Sequence, residues 1–254
     1  MEKQNCLLYC NCGAHIITDK KQSALAESFQ RLNIDVFELH DLCAFSLNEK
    51  DFLNSLDSKY NKVFIVACYP RAIENMFLQN NIKLSNFEVL NFRDLSEEEI
   101  VSQLKQEATN DNSNYEVLKS SLEVSAWYPI IDESFCTHCG QCARFCVFGV
   151  YKFKSKKLDV VNPLYCKNNC PACGRTCPAS AIIFPRLPEN AVLSGAQPGA
   201  EKSESSHAKK PGLFVMLNER NSMRRSIFKE GIMQQAEEEK LKAINEYKKE
   251  LEKK

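Results

Sequence analysis

Apolar positions in the first hundred residues recur with two periods, one typical of strands and one typical of helices. Short apolar runs predict strands at 5–10, 34–39, 62–68 and 87–92. The run KVFIVAC at 62–68 is continuous enough for a strand buried on both faces. Helical spacing predicts helices at 18–32, 47–60, 71–80 and 96–106. Such alternation predicts an open, mostly parallel α/β sheet with right-handed crossovers.

Changes in residue type along the chain divide it into five parts. Residues 1–108 carry the strand and helix pattern, and 109–128 begin with a polar run that predicts a linker or surface excursion. Residues 129–188 form a cysteine-rich segment, and 189–212 are small and polar enough to predict a flexible linker. In 213–254 we expect a charged C-terminal helix, with an apolar edge marked by Ile244, Tyr247 and Leu251.

Composition excludes several classes of partner and cofactor. The 33 basic and 33 acidic residues cancel, so nothing in the overall charge favours nucleic acid. The apolar runs are too short to span a membrane, and the first residues lack the apolar core of a signal peptide, so we expect a cytoplasmic protein. The chain has no G-x-G-x-x-G motif and no P-loop, so no flavin or NAD site is expected.

The spacing of the cysteines carries the chemistry. Thirteen cysteines in a cytoplasmic chain are expected to be thiolates or metal ligands rather than disulfides. Two stretches repeat each other, CTHCGQCARFC at 136–146 and CKNNCPACGRTC at 166–177. Structural zinc usually takes two cysteine pairs, whereas a cubane iron–sulfur cluster takes three close cysteines and a distant fourth. The duplication therefore favours two clusters with crossed ligation, with zinc as the alternative.

The cysteine-rich segment resembles a bacterial-type ferredoxin that carries two [4Fe–4S] clusters. The resemblance implies a small α+β ferredoxin-like fold and two sets of ligands. The first set is Cys136, Cys139, Cys142 and Cys177, and the second set is Cys166, Cys170, Cys173 and Cys146. Two departures stand out: three residues instead of two separate Cys166 from Cys170, and Val147 replaces a proline.

Four further cysteines lie near the ends of predicted strands in the first hundred residues: Cys10, Cys12, Cys43 and Cys68. Because the carboxyl ends of parallel strands share one edge of a sheet, we expect these four side chains to converge. Structural burial of each cysteine, or a zinc site, is the alternative. Cys6 falls inside the first strand, where ordinary packing explains it.

A second resemblance concerns the same region. CNCGAHI at 10–16, the isolated Cys43, VACYPRAIENMF at 66–77 and NFRD at 91–94 resemble the N-terminal domain of the heterodisulfide reductase A subunit family. The resemblance implies a third [4Fe–4S] cluster held by Cys10, Cys12, Cys43 and Cys68. The flavin-binding domain of that family has no counterpart in the glycine pattern of this chain.

These observations predict an iron–sulfur electron-transfer protein. We expect a subunit, or an electron donor or acceptor, of a larger oxidoreductase related to heterodisulfide reductase rather than a stand-alone catalyst. The alternative is a redox-sensing regulatory or scaffold protein. A redox partner protein is expected, and the C-terminal helix is either its docking element or a solvated helix. Arg71 and Glu74, one helical turn apart, are expected to form an ordinary ion pair.

Overall fold

The computed structural model describes residues 3–108, 113–198 and 231–252. Its central sheet has five parallel strands in the order β4-β3-β1-β2-β5, so the predicted α/β class is confirmed. The strands are β1 (Cys6–Asn11), β2 (Asp35–His40), β3 (Val63–Ala67), β4 (Phe87–Asn91) and β5 (Tyr115–Lys119). All of β3 is buried, as expected of a strand covered on both faces.

Five helices connect these strands: α1 (Asp19–Phe29), α2 (Leu42–Asn48), α3 (Lys50–Lys59), α4 (Pro70–Asn80) and α5 (Glu97–Glu107). The helix predicted at 47–60 is thus two helices. Between them Glu49 has φ −112° and ψ 39°, outside the helical range, and α2 begins earlier to follow β2 directly. A capping box is present at the start of α5, where the side chains of Ser96 and Glu99 accept from each other's backbone N–H groups.

Strand β5 lies within the stretch for which a linker was expected. Its pattern, YEVLK, is exposed or half-exposed throughout, as befits an edge strand, and it lacks the buried run that marks β3. It pairs in parallel with β2, and Ala126 and Tyr128 beyond it are buried against the domain core. This part of 109–128 therefore belongs to the α/β domain; residues 109–112 lie outside the described residues.

The cysteine-rich segment is built from very short elements. Its two ends meet where β6 (Ile130–Ile131) pairs antiparallel with β9 (Ile182–Ile183). Between them lie α6 (Gln141–Phe145), a hairpin of β7 (Tyr151–Lys154) and β8 (Lys157–Val160), a 3-10 turn (Pro163–Tyr165) and α7 (Ala172–Arg175). Trp127 and Phe184 stack at 5.2 Å between ring centroids in its small core.

The stretch expected to be a flexible linker at 189–212 is packed where it is described. A 3-10 turn (Val192–Ser194) follows the cysteine-rich segment, and Ser194 is fully buried. Gly195 has φ +117°, and a Cβ there would lie 2.8 Å from the Cβ of Ala72, so the close approach to α4 requires glycine. Residues 199–212 lie outside the described residues.

The C-terminal helix, α8 (Ile232–Leu251), packs against α7. Its buried residues are Ala236 and Ala243, whereas Tyr247 and Leu251 of the expected apolar edge are exposed. The contact face of α8 is formed by small residues because α8 lies close to α7. The rest of the expected element, 213–231, lies outside this helix, and 213–230 outside the described residues. Across the described ranges, the helices are all too short or too polar to pass through a lipid bilayer.

Candidate metal centres

The N-terminal candidate centre lies at the carboxyl edge of the parallel sheet. Cys10 is the last but one residue of β1, and Cys12 directly follows that strand. Cys43 is in the first turn of α2, and Cys68 directly follows β3. All four side chains are buried. Cys10 and Cys12 share a hydrogen bond that raises the pKa of Cys10 and lowers that of Cys12. The positions of the four cysteines, at the carboxyl ends of parallel strands, are the reason to expect their thiols to lie close together.

The thiols of this centre influence one another electrostatically. Burial, together with the neighbouring charge of Cys12, raises the pKa of Cys68 to about 12. Burial likewise raises the pKa of Cys43, with added contributions from Cys68 and Cys12. Thiols that interact in this way lie near one another, and each would give up its proton on binding a metal.

The α2 N-terminus fixes the geometry of this centre. Asp41 adopts φ +75° and caps the helix, because its Oδ1 accepts from the backbone N–H of Cys43 at 3.1 Å. The backbone N–H of Leu42 lies 3.5 Å from the Sγ of Cys10, in position to donate to it. The hydroxyl of Tyr128, beyond β5, donates to the Cys43 carbonyl at 3.0 Å.

The second candidate centre is a partly open cavity in the cysteine-rich segment. Its lining includes four thiols: Cys146, Cys166, Cys170 and Cys173. Burial raises the pKa of Cys173, and the charges of the other three thiols raise it further. One of the four comes from the first repeat and three from the second, so both halves contribute to the same cavity.

The other candidate centre of the segment contains its four remaining cysteines. Burial, together with the charges of Cys177, Cys139 and Cys136, raises the pKa of Cys142 to about 12. The backbone N–H of Ala181 donates to the Sγ of Cys177 at 3.3 Å. Cys139 is exposed, unlike Cys142, so one side of this centre faces solvent.

Two observations bear on which group fits these thiols. A zinc ion bonded to four sulfurs at 2.3 Å would bring them to about 3.8 Å from one another. Among the described residues, the group with three metal-binding atoms within 4.8 Å is Glu133, Cys136 and His138, and no thiol quartet is drawn in so tightly. Four soft thiolates spread around a larger volume match the donors of an iron–sulfur cluster.

A buried indole N–H lies beside the second centre. The indole Nε1 of Trp127 is buried and makes no hydrogen bond within the part of the chain that the structure describes. Burial raises the pKa of Cys166, and the Trp127 N–H acts against that rise, so the donor lies beside the second centre. An acceptor such as a thiolate or cluster sulfide would satisfy it.

Comparison with known proteins adds a relative for part of the chain. A stretch of 61 residues is 44% identical to an uncharacterised ferredoxin of Methanocaldococcus jannaschii, and it covers 24% of this chain and 42% of that ferredoxin. A segment of this chain is ferredoxin-like. The chain thus spans less than half of that relative's length. The expected likeness to the heterodisulfide reductase A subunit is not shown.

Neither of the other two comparisons finds a relative. No family model matches the chain, and no solved structure matches it.

Contacts between the α/β domain and the ferredoxin-like part include an arginine whose actual partner the sequence did not reveal. Arg71, expected to pair with Glu74, is instead 3% exposed and donates from Nε to Asp132 at 2.6 Å. It also donates from Nη2 to the Ser180 carbonyl at 2.8 Å. Its place three residues after Cys68 was the available clue, but nothing in the local spacing indicated a partner 61 positions away.

Proposed function

We propose that this protein is an iron–sulfur electron-transfer protein with three [4Fe–4S] clusters. The observation that carries the proposal is the cavity lined by Cys146, Cys166, Cys170 and Cys173, which takes thiols from both repeats. The ferredoxin-like segment supports the same role. The protein serves a larger oxidoreductase related to heterodisulfide reductase, as a subunit or as an electron donor or acceptor in the cytoplasm.

The proposed ligands follow the three groups of thiols. One cluster takes Cys136, Cys139, Cys142 and Cys177; the second takes Cys166, Cys170, Cys173 and Cys146; the third takes Cys10, Cys12, Cys43 and Cys68. When bound, the clusters supply reversible one-electron chemistry.

The chain's own residues exclude water and donate hydrogen bonds to sulfur. The N–H groups of Leu42 and Ala181 are such donors, at Cys10 and Cys177. A donor stabilises the more negative, reduced form and so raises the potential of its centre.

The exposed thiol of Cys139 favours the first cluster as the point of exchange with a partner protein. The second cluster is less accessible from outside, because α8 packs over its thiols. Lys240 of α8 lines the cavity, and Ala243 packs in the same small cluster as Cys170. The structure therefore favours α8 as a cover for the second cluster rather than as the docking element.

Iron and sulfide analysis of anaerobically purified protein tests the proposal. Three cubanes give about twelve irons per chain, and two give about eight. Cys43→Ser should remove the spectrum of the third cluster alone, and Cys170→Ser should remove that of the second. The matched control is Cys6→Ser, a buried cysteine of β1 outside every ligand set. Zinc in place of iron would contradict the proposal.

A further inference from the structure

Arg186, just beyond β9, reaches from the cysteine-rich segment to the α/β domain. Its Nη1 lies 2.7 Å from Oδ2 of Asp41, 145 positions earlier in the chain. The side chains of this ion pair are 13% and 16% exposed. An ion pair that is mostly shielded from water interacts more strongly with another charge nearby than an exposed pair does.

Three contacts place the guanidinium beside the N-terminal thiols. Nη2 lies 3.9 Å from the position that a Cβ on Gly13 would take, next to Cys12. Arg186 and Cys43 line the same narrow space between the domain and the segment. Asp41, which holds the guanidinium through Oδ2, uses Oδ1 to orient the backbone N–H of Cys43.

The charge of Arg186 is favourable to negative sulfur. A cluster held by four thiolates is anionic, and its reduced form carries one more negative charge than its oxidised form. A nearby buried cation therefore stabilises the reduced form more.

We propose that Arg186 is a positioning residue for the N-terminal cluster, which raises the potential of that cluster and makes the cysteine-rich segment part of its site. This inference rests on the third cluster of the proposed function. It predicts that the N-terminal cluster acquires its native potential only when both parts of the chain are present and correctly packed.

Redox titration of the full chain, followed by the electron paramagnetic resonance of the reduced clusters, tests the inference. In Arg186→Gln, the ratio of reduced to oxidised N-terminal cluster at a fixed solution potential should fall about tenfold, or ~59 mV for one electron. Arg175→Gln is the matched control, because Arg175 is 15% exposed and pairs with Glu189 and Glu239 instead. It should leave the potential of the N-terminal cluster unchanged.

Two further variants separate charge from packing. Arg186→Lys keeps the charge and should keep a potential near that of the wild type. The double variant Arg186→Gln with Asp41→Asn removes both charges and should bring the potential back toward the wild-type value. Both results would support an electrostatic role, whereas loss of the cluster in both the Gln and the Lys single variants would overturn it.

The wild type distinguishes failure of the inference from failure of the proposed function. About eight irons per chain, with no third spectrum, would refute the third cluster itself and the inference with it. About twelve irons in the wild type, together with an unaltered N-terminal potential in Arg186→Gln, would overturn the inference alone.

Discussion

At the scale of single residues, the ion pair of Arg71 and Asp132 joins the two halves of the molecule. Arg71 is in the first turn of α4, three residues after a candidate ligand, and the Asp132 carbonyl accepts from the N–H of Cys136. Burial alone would raise the pKa of Asp132, but the Ser134 hydroxyl and the Arg71 guanidinium hold it below its ordinary value. A depressed pKa stabilises the folded state above pH ~4, and this contribution is lost as the pH falls further.

Replacing Arg71 should therefore destabilise the folded state. Arg71→Ala leaves the Asp132 carboxylate buried without its cation, and we expect the free energy of unfolding to fall by about 3 kcal/mol. Urea unfolding at neutral pH measures this loss. Glu74→Ala removes an exposed charge from the same helix and should change stability by less than about 0.5 kcal/mol. Equal effects of the two substitutions would show that the buried pair stabilises nothing.

The residue scale also shows the limit of prediction from sequence. Cysteine is recognisable as a metal ligand by its chemistry and spacing, so the twelve candidate ligands could be named in advance. Arg71, Arg186 and Trp127 could not, because their roles depend on which distant residues pack beside them. Asp132 and Asp41 are the partners of the two arginines, 61 and 145 positions away.

At the scale of elements, burial decides which strands a sequence reveals. Strand β3 was predicted because all five of its side chains are apolar and buried. Strand β5 was missed because an edge strand that faces solvent needs no apolar run, and Val117 at its centre is 52% exposed. Helix α8 was predicted as a helix, but its contact face was not, since alanines mark close packing less visibly than large apolar residues.

Helix α8 offers a test of its covering role. Ala243 is 4% exposed and packs in the same cluster as Ala172 and Cys170. In Ala243→Glu the new carboxylate has no room there, so α8 should detach. A ferrous chelator should then remove iron from the second cluster several-fold faster, as followed by absorbance.

Lys242→Glu is the control, because Lys242 is exposed on the neighbouring position of α8. This substitution introduces the same carboxylate, with a larger change in net charge, at a position outside the contact with α7. If Lys242→Glu accelerates iron loss as much as Ala243→Glu does, α8 does not cover the second cluster.

At the scale of the whole molecule, the two halves differ in what holds them together. The α/β domain has a continuous buried core on both faces of a five-stranded sheet. The cysteine-rich segment has strands of two to four residues and α-helices of four and five, around a small core. Metal–thiolate bonds are the expected source of its missing stability.

Removal of the metal should accordingly unfold one half and spare the other. After anaerobic chelation, we expect backbone amides in 136–177 to exchange rapidly with solvent, while those of β1, β2 and β3 stay protected. Hydrogen exchange with mass spectrometry measures both in one sample. Slow exchange throughout 136–177 in iron-free protein would show that the segment folds by its core alone.

The hairpin turn at Ser155 and Lys156 has a mechanical consequence. Both residues are exposed with positive φ, between β7 and β8, and the proposed ligands of the first and second clusters lie on both sides of the turn. A protease that cuts after Lys156 would break the chain yet leave its two pieces joined through iron. The nicked protein should elute as one particle by gel filtration, and chelation should weaken the association of the two fragments. In this protein the redox centres would also serve as crosslinks.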